Sequence, residues 1–182
     1  MRYCFCVCLF VSVALAADEQ FTTRLGSQAI DVIGGVQHTG GGTDPVGGLK
    51  IRGGLSRYLS GYGEFTYSRT RNDVFLFRGN NGELQASLID LNAGLEAHAS
   101  GLRLAPYGFS GIGLVRAGSS AEVLGQKAES SVNKVAGSFG GGVRFFVNRH
   151  WGFSAEVKAV KPMDIKWIQR YAAGIFLSFP PR

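Results

Sequence analysis

The sequence predicts an all-β fold, an eight-stranded antiparallel up-and-down transmembrane β-barrel, on three observations. Apolar residues alternate one position in two over segments of about ten residues, the length a tilted strand needs to cross a bilayer. Beyond the first 17 positions no apolar run approaches about 20 residues, so the 45% hydrophobic content is not arranged in spanning helices. Charged residues fall opposite the apolar faces, in equal numbers of each sign. The length of 182 residues suits one domain. The 27 glycines, about twice the average share, follow no three-residue period, and no proline excess accompanies them, so neither collagen nor a low-complexity chain fits.

The elements follow in order. Residues 1–16 have a positive start at Arg2, an apolar stretch from Tyr3 to Leu15 and small residues at Ala14 and Ala16, the features of a secretory signal peptide. Cys4, Cys6 and Cys8 all fall within it. Cleavage after Ala16 therefore leaves a chain with no disulfide, thiolate or cysteine metal site. It also removes Arg2 from the 19 basic residues, leaving 18 against 13 acids, a net +5 with no run of like charges to suggest nucleic-acid binding. Residues 17–27 read as a short periplasmic amino-terminal segment, 28–179 as the barrel and 180–182 as a carboxyl-terminal tail.

Eight strands are expected at about 28–37, 46–57, 61–71, 84–98, 102–116, 134–147, 151–161 and 167–179. In the fourth, Ile89, Leu91, Ala93, Leu95 and Ala97 alternate with Asp90, Asn92, Gly94, Glu96 and His98. In the last, Tyr171, Ala173, Ile175, Leu177 and Phe179 form one face. Tight turns are expected at Leu59–Gly61, Ala99–Gly101 and Asn148–His150, and longer polar loops at 38–45, 72–83 and 117–133, with a shorter one at 162–166. Short turns on one rim and longer loops on the other are the arrangement of barrels in a bacterial outer membrane.

The face opposite the apolar one collects Asp31, Lys50, Arg52, Glu64, Asp90, Glu96, Arg144, Glu156, Lys158 and Arg170, five acids and five bases. A soluble sandwich or lipocalin-like barrel would place apolar residues inside; here the charges are expected inside, paired in a narrow interior where an unpaired charge is costly. Trp151, Phe145 and Phe179 at one rim, and Trp167, Tyr171 and Tyr67 at the other, fit interfacial girdles. Pro106 calls for a bulge or strand end. The facing of the fifth strand stays open, with Tyr107 and Phe109 favouring one face outward and Leu102, Leu104, Ile112 and Leu114 the other.

The carboxyl-terminal third, with Gly140–Phe146, the turn Asn148–His150 into Trp151 and Gly152, and then Ala155–Val157, resembles the outer-membrane protein β-barrel family, in the size range of small OmpA/OmpX-type barrels. Gly174, Leu177 and Phe179 resemble the family's terminal insertion pattern. The resemblance implies recognition by the barrel-assembly machinery and residence in the cell outer membrane. Ala172 stands where the pattern usually has a polar residue, and Pro180–Arg182 follow the Phe that normally ends it.

For chemistry the inventory is thin. His38, His98 and His150 have no metal-ligand spacing. The sharpest catalytic candidate is Glu96, His98 and Ser100, a possible nucleophilic relay faintly similar to the His-x-Ser of lipid A deacylases. It falls at the periplasmic turn, and no catalytic residue and no cofactor is assigned. The Gly140–Gly142 run is read as permitting sharp curvature or a close crossing by Arg144. Arg69, Arg71, Arg116, Lys134, Lys161 and Lys166 ring the long-loop rim as expected contacts for lipopolysaccharide phosphates. The reading is a non-enzymatic barrel with a plugged, ion-paired interior and a structural, envelope-integrity or surface-interaction role. A narrow pore, a lipid-modifying enzyme and a soluble lipocalin-like binder are the alternatives.

Overall fold

Alternation of apolar and polar residues puts two chemically different faces on every strand, and closing the sheet separates them completely. The computed structural model describes residues 26–39, 42–76, 80–123, 126–163 and 166–179. Its eight strands are β1 (Gln28–Thr39), β2 (Gly42–Gly54), β3 (Leu59–Leu76), β4 (Asn80–His98), β5 (Leu104–Val123), β6 (Gln126–Phe146), β7 (Trp151–Pro162) and β8 (Ile168–Phe179). Each pairs antiparallel with its sequence neighbours, and β1 pairs with β8 to close the barrel. Closure removes every free edge at this level, which a sheet in a bilayer requires. Gln28 sits opposite Phe179, so the first and last strands begin and end at the same rim. The expected signal peptide 1–16, nearly all of segment 17–27 and the tail 180–182 lie outside the described residues.

Outward positions are apolar: Ile112 is 72% exposed, Val32 and Ile51 60% each, and Phe153, Val157, Ile175 and Leu177 are exposed as well. Inward positions alternate with them and are buried, with polar and charged groups in the middle and apolar ones such as Ile33, Val115, Val160 and Phe176 among them. Trp151, Phe145 and Phe179 lie at the short-turn rim, and Tyr67, Tyr171 and Trp167 at the other.

The strands differ from the sequence reading where the outer face turns polar. β3, β4, β5 and β6 contain 18, 19, 20 and 21 residues, against 12 or 13 in the other four. The segments 72–83 and 117–133, expected to be loops, are mostly hairpin: Leu76 pairs with Asn80 and Val123 with Gln126. Most of 38–45 is likewise strand, since Thr39 pairs with Gly42. β2 pairing stops at Val46–Ser68, and β7 pairing at Ala136–Pro162. A four-stranded wall therefore rises above the rest of the barrel.

At the other rim the first turn is at 55–58 and not at Leu59–Gly61. The Leu55 and Ser56 amides both donate to the Leu59 carbonyl, at 2.9 and 3.0 Å, which closes the turn and leaves Gly61 in the ladder opposite Gly53. In the next turn Gly101 has φ 80°, a conformation strained for other residues. In the third, Asn148 Oδ1 accepts from the His150 and Trp151 amides at 2.8 and 3.0 Å, an Asx turn. Pro106 causes no bulge. It lies near the start of β5, one residue before β4 pairing begins at Tyr107, and its carbonyl accepts from the Ala99 amide at 3.0 Å.

The fifth strand faces Ile112 and Leu114 outward and buries Tyr107 and Phe109. Space for those rings comes from β6. A Cβ on Gly140 would lie 2.6 Å from Phe109 Cζ and 2.3 Å from the Val157 carbonyl oxygen; on Gly142 it would lie 2.8 Å from Tyr107 Cζ and 2.2 Å from the Ala155 carbonyl oxygen. Gly140 and Gly142 thus let the β7 backbone approach closely and admit two aromatic rings.

Candidate functional site: the charged interior and the polar rim

Inward register on seven of the eight strands, all but β5, brings the ten charged residues singled out above into one space. Nine of them are at most 6% exposed, and Arg52 is partly buried. Near the short-turn rim, Arg52 grips Asp31 with two hydrogen bonds of 3.0 and 2.7 Å. Arg144 grips Glu96 with two of 2.7 and 2.6 Å, the fork geometry that makes arginine–carboxylate pairs strong. Midway up, Lys50 Nζ donates to Glu156 Oε2 at 2.5 Å and lies 3.3 Å from Glu64. Lys158 bridges Glu64 at 2.7 Å and Asp90 at 3.0 Å. Arg170 bonds Glu64 and donates to Thr66 Oγ1 at 2.8 Å.

Aromatic rings complete this layer. Lys50 Nζ is 4.4 Å from the Phe109 ring centroid, 5.4 Å from Tyr62 and 5.9 Å from Tyr107. Arg144 Cζ is 3.8 Å from the Tyr107 centroid. Ring faces favour cations, so the bases have partners on the sides where no carboxylate stands. Tyr107 Oη donates to Glu156 at 3.0 Å, and both Tyr62 Oη and Ser138 Oγ donate to Asn92 Oδ1. Sequence reading missed these uncharged members. Gly140 and Gly142, small positions facing large ones, were the signal that could have found the rings. Toward the long-loop rim the charges are covered by an apolar layer of Val115, Ala136, Val160 and Ile168, with Leu88 against it.

Glu96, His98 and Ser100 do not form a relay. Both Glu96 oxygens are held by Arg144, His98 Nδ1 is 3.9 Å from Glu96, and Ser100 Oγ has no hydrogen-bond partner. His38 instead bonds Thr43 Oγ1 at 3.0 Å across the first hairpin. Among the described residues no group of three His, Cys, Asp or Glu could hold a metal. On β8, Gly174 faces inward and Leu177 and Phe179 outward.

The rim basic residues separate by register. Arg69 and Arg116 line one groove of about 580 Å³ on the outer face of β3–β6, with Tyr67, Gln85, Ser87 and Ile89. Arg69 donates to Gln85 Oε1. Lys161 and Lys166 are exposed, with Lys161 Nζ 5.6 Å from the Trp167 ring. Lys134 shares the inward register of Ala136 and Ser138 and is half-buried. Arg71 pairs with Gln85 in the ladder; its side chain lies outside the described ones.

The Outer membrane protein beta-barrel domain family matches residues 4–169. The chain belongs to this family. It is a β-barrel of the outer membrane of the Gram-negative type, and its apolar outer face meets lipid. Several solved barrels are similar in fold. Ail, the attachment invasion locus protein of Yersinia pestis, solved in complex with the heparin analogue sucrose octasulfate, is 15% identical with a TM-score of 0.64, over 85% of this chain and 99% of that one. OprG from Pseudomonas aeruginosa is 13% identical with a TM-score of 0.59, over 90% and 100%. The N-terminal barrel domain of Pseudomonas aeruginosa OprF is 15% identical with a TM-score of 0.57, over 85% and 98%. No curated protein sequence matches the chain.

Proposed function

We propose that this outer-membrane β-barrel is a non-conducting, ion-locked structural protein, a rigid mount that holds the β3–β6 wall above the outer leaflet for envelope integrity or surface contact. The observation that carries it is the filling of the interior by five acids and five bases, six of them in one network and the other four in the pairs Arg52–Asp31 and Arg144–Glu96, with an apolar layer above. Eight-stranded barrels are just wide enough for side chains to fill. The test is current across planar bilayers containing the purified protein: steady baseline current is expected, and discrete conductance steps would replace this reading with the narrow pore.

The outer leaflet supplies the first partner. Arg69 and Arg116, sharing one hydroxyl-rich groove directly above the apolar band, are placed to hold lipopolysaccharide phosphates, with Lys161 and Lys166 on the far side of the barrel. Arginine suits phosphate because its donors form a planar fork. Cells carrying Arg69→Gln with Arg116→Gln are expected to gain sensitivity to detergent and polymyxin; unchanged sensitivity at equal surface abundance refutes the contact. Export through segment 1–16 and insertion by the assembly machinery, read from Gly174, Leu177 and Phe179, complete the proposal.

A further inference from the structure

Above the apolar layer, inside the mouth of the barrel, lies a second cavity of about 310 Å³. Its size is at the lower end of small-molecule sites. Leu88 belongs both to its lining and to the apolar layer, while Gln37 stands opposite Arg170 in the β1–β8 ladder, so the cavity adjoins the upper end of the charge network. Inward-register residues Ala117 and Val132 add hydrocarbon, while Gln37, Asp44 and Ser68 add polar groups. Gln37 is 2% exposed, yet its Nε2 has no hydrogen-bond partner. A buried amide donor without an acceptor is costly, and a ligand acceptor would remove that cost. Asp44 contributes a negative charge to the lining, which opposes an anionic ligand.

We propose that this cavity binds a small, uncharged, largely aliphatic molecule with one hydrogen-bond acceptor. Gln37 Nε2 donates to the acceptor, and Leu88, Ala117 and Val132 pack on the hydrocarbon. The site is independent of whether the barrel conducts.

The test uses the full barrel in lipid nanodiscs, free of detergent, with Leu and Val methyl groups observed by NMR. Cyclohexanone is the probe and cyclohexanecarboxylate its anionic counterpart. Cyclohexanone should shift the Leu88 and Val132 methyl signals saturably, and the carboxylate should not. Gln37→Leu should weaken binding about three- to tenfold, the range of one net hydrogen bond. Ala117→Trp, which fills the cavity from another strand and leaves Gln37 in place, should abolish the shifts. Linear, unsaturable shifts, equal affinity in Gln37→Leu, or saturation of the same methyls by the carboxylate would each overturn the proposal. The wild-type comparison of the two probes stands even if either variant fails to fold.

Discussion

Glu64→Gln is the substitution that strikes the interior hardest for the least change in shape. Glu64 touches three cations: Lys50 at 3.3 Å, Lys158 at 2.7 Å and Arg170. The amide fills the same volume but removes the charge, taking the interior from balance to an excess of one base. Each cation keeps at least one other carboxylate: Glu156 for Lys50 at 2.5 Å, Asp90 for Lys158 at 3.0 Å, and both Asp90 and Glu156 for Arg170 at 3.6 and 3.7 Å. Breaking a buried pair costs about 3–5 kcal/mol when a charge is left uncompensated. Because partners remain, the expected loss is about 3 kcal/mol, the low end of that range. Urea unfolding from lipid vesicles, followed by Trp151 and Trp167 emission, measures it. Adding Lys158→Met restores charge balance and should recover at least about 1 kcal/mol, a coupling typical of residues in one network. A loss below about 1 kcal/mol, the level of an exposed pair, would refute the reasoning. So would strict additivity of the two substitutions.

Two further outcomes follow from the wall itself. Gly142→Val puts side-chain atoms against the Ala155 carbonyl and the Tyr107 ring, so the barrel should fail to close and the unboiled sample should lose its distinct gel mobility. Ile112→Arg places a charge on the lipid-facing wall at a residue 72% exposed. It should cost about 2–4 kcal/mol if Ile112 lies near the bilayer midplane, whereas Lys161→Leu at the rim should change stability by less than about 1 kcal/mol; vesicle unfolding measures both.

The alternation that defines the strands is local and was legible, because one lipid-facing and one interior-facing residue must follow each other wherever the wall crosses the bilayer. Above the bilayer that constraint ends. Residues such as Ser119, Ser120, Ser130 and Ser131 are polar on both faces of the wall, so 72–83 and 117–133 read as loops although their backbones pair. Leu55 and Leu59 blurred the first turn for the converse reason, since its first residue and the residue just after it are both apolar. The facing of Tyr107 and Phe109 was not legible within β5; it depends on glycines more than 30 residues away. Register also leaves the pairings open. Asp31 sits opposite Lys50 in the ladder yet bonds Arg52, and Lys50 reaches across the barrel to Glu156.

The central claim is that the wall carries apolar residues to lipid and turns its polar positions inward. Ala172 and Ala173 test it on adjacent residues of β8, the first buried at 7% and the second exposed. The protein in intact vesicles is irradiated with a membrane-soluble diazirine, whose carbene inserts into C–H bonds, and the modified residues are located by fragment mass spectrometry. The account predicts modification at Ala173, and at Ala172 only after denaturation. Equal labelling of the two, or the reverse order, would contradict it.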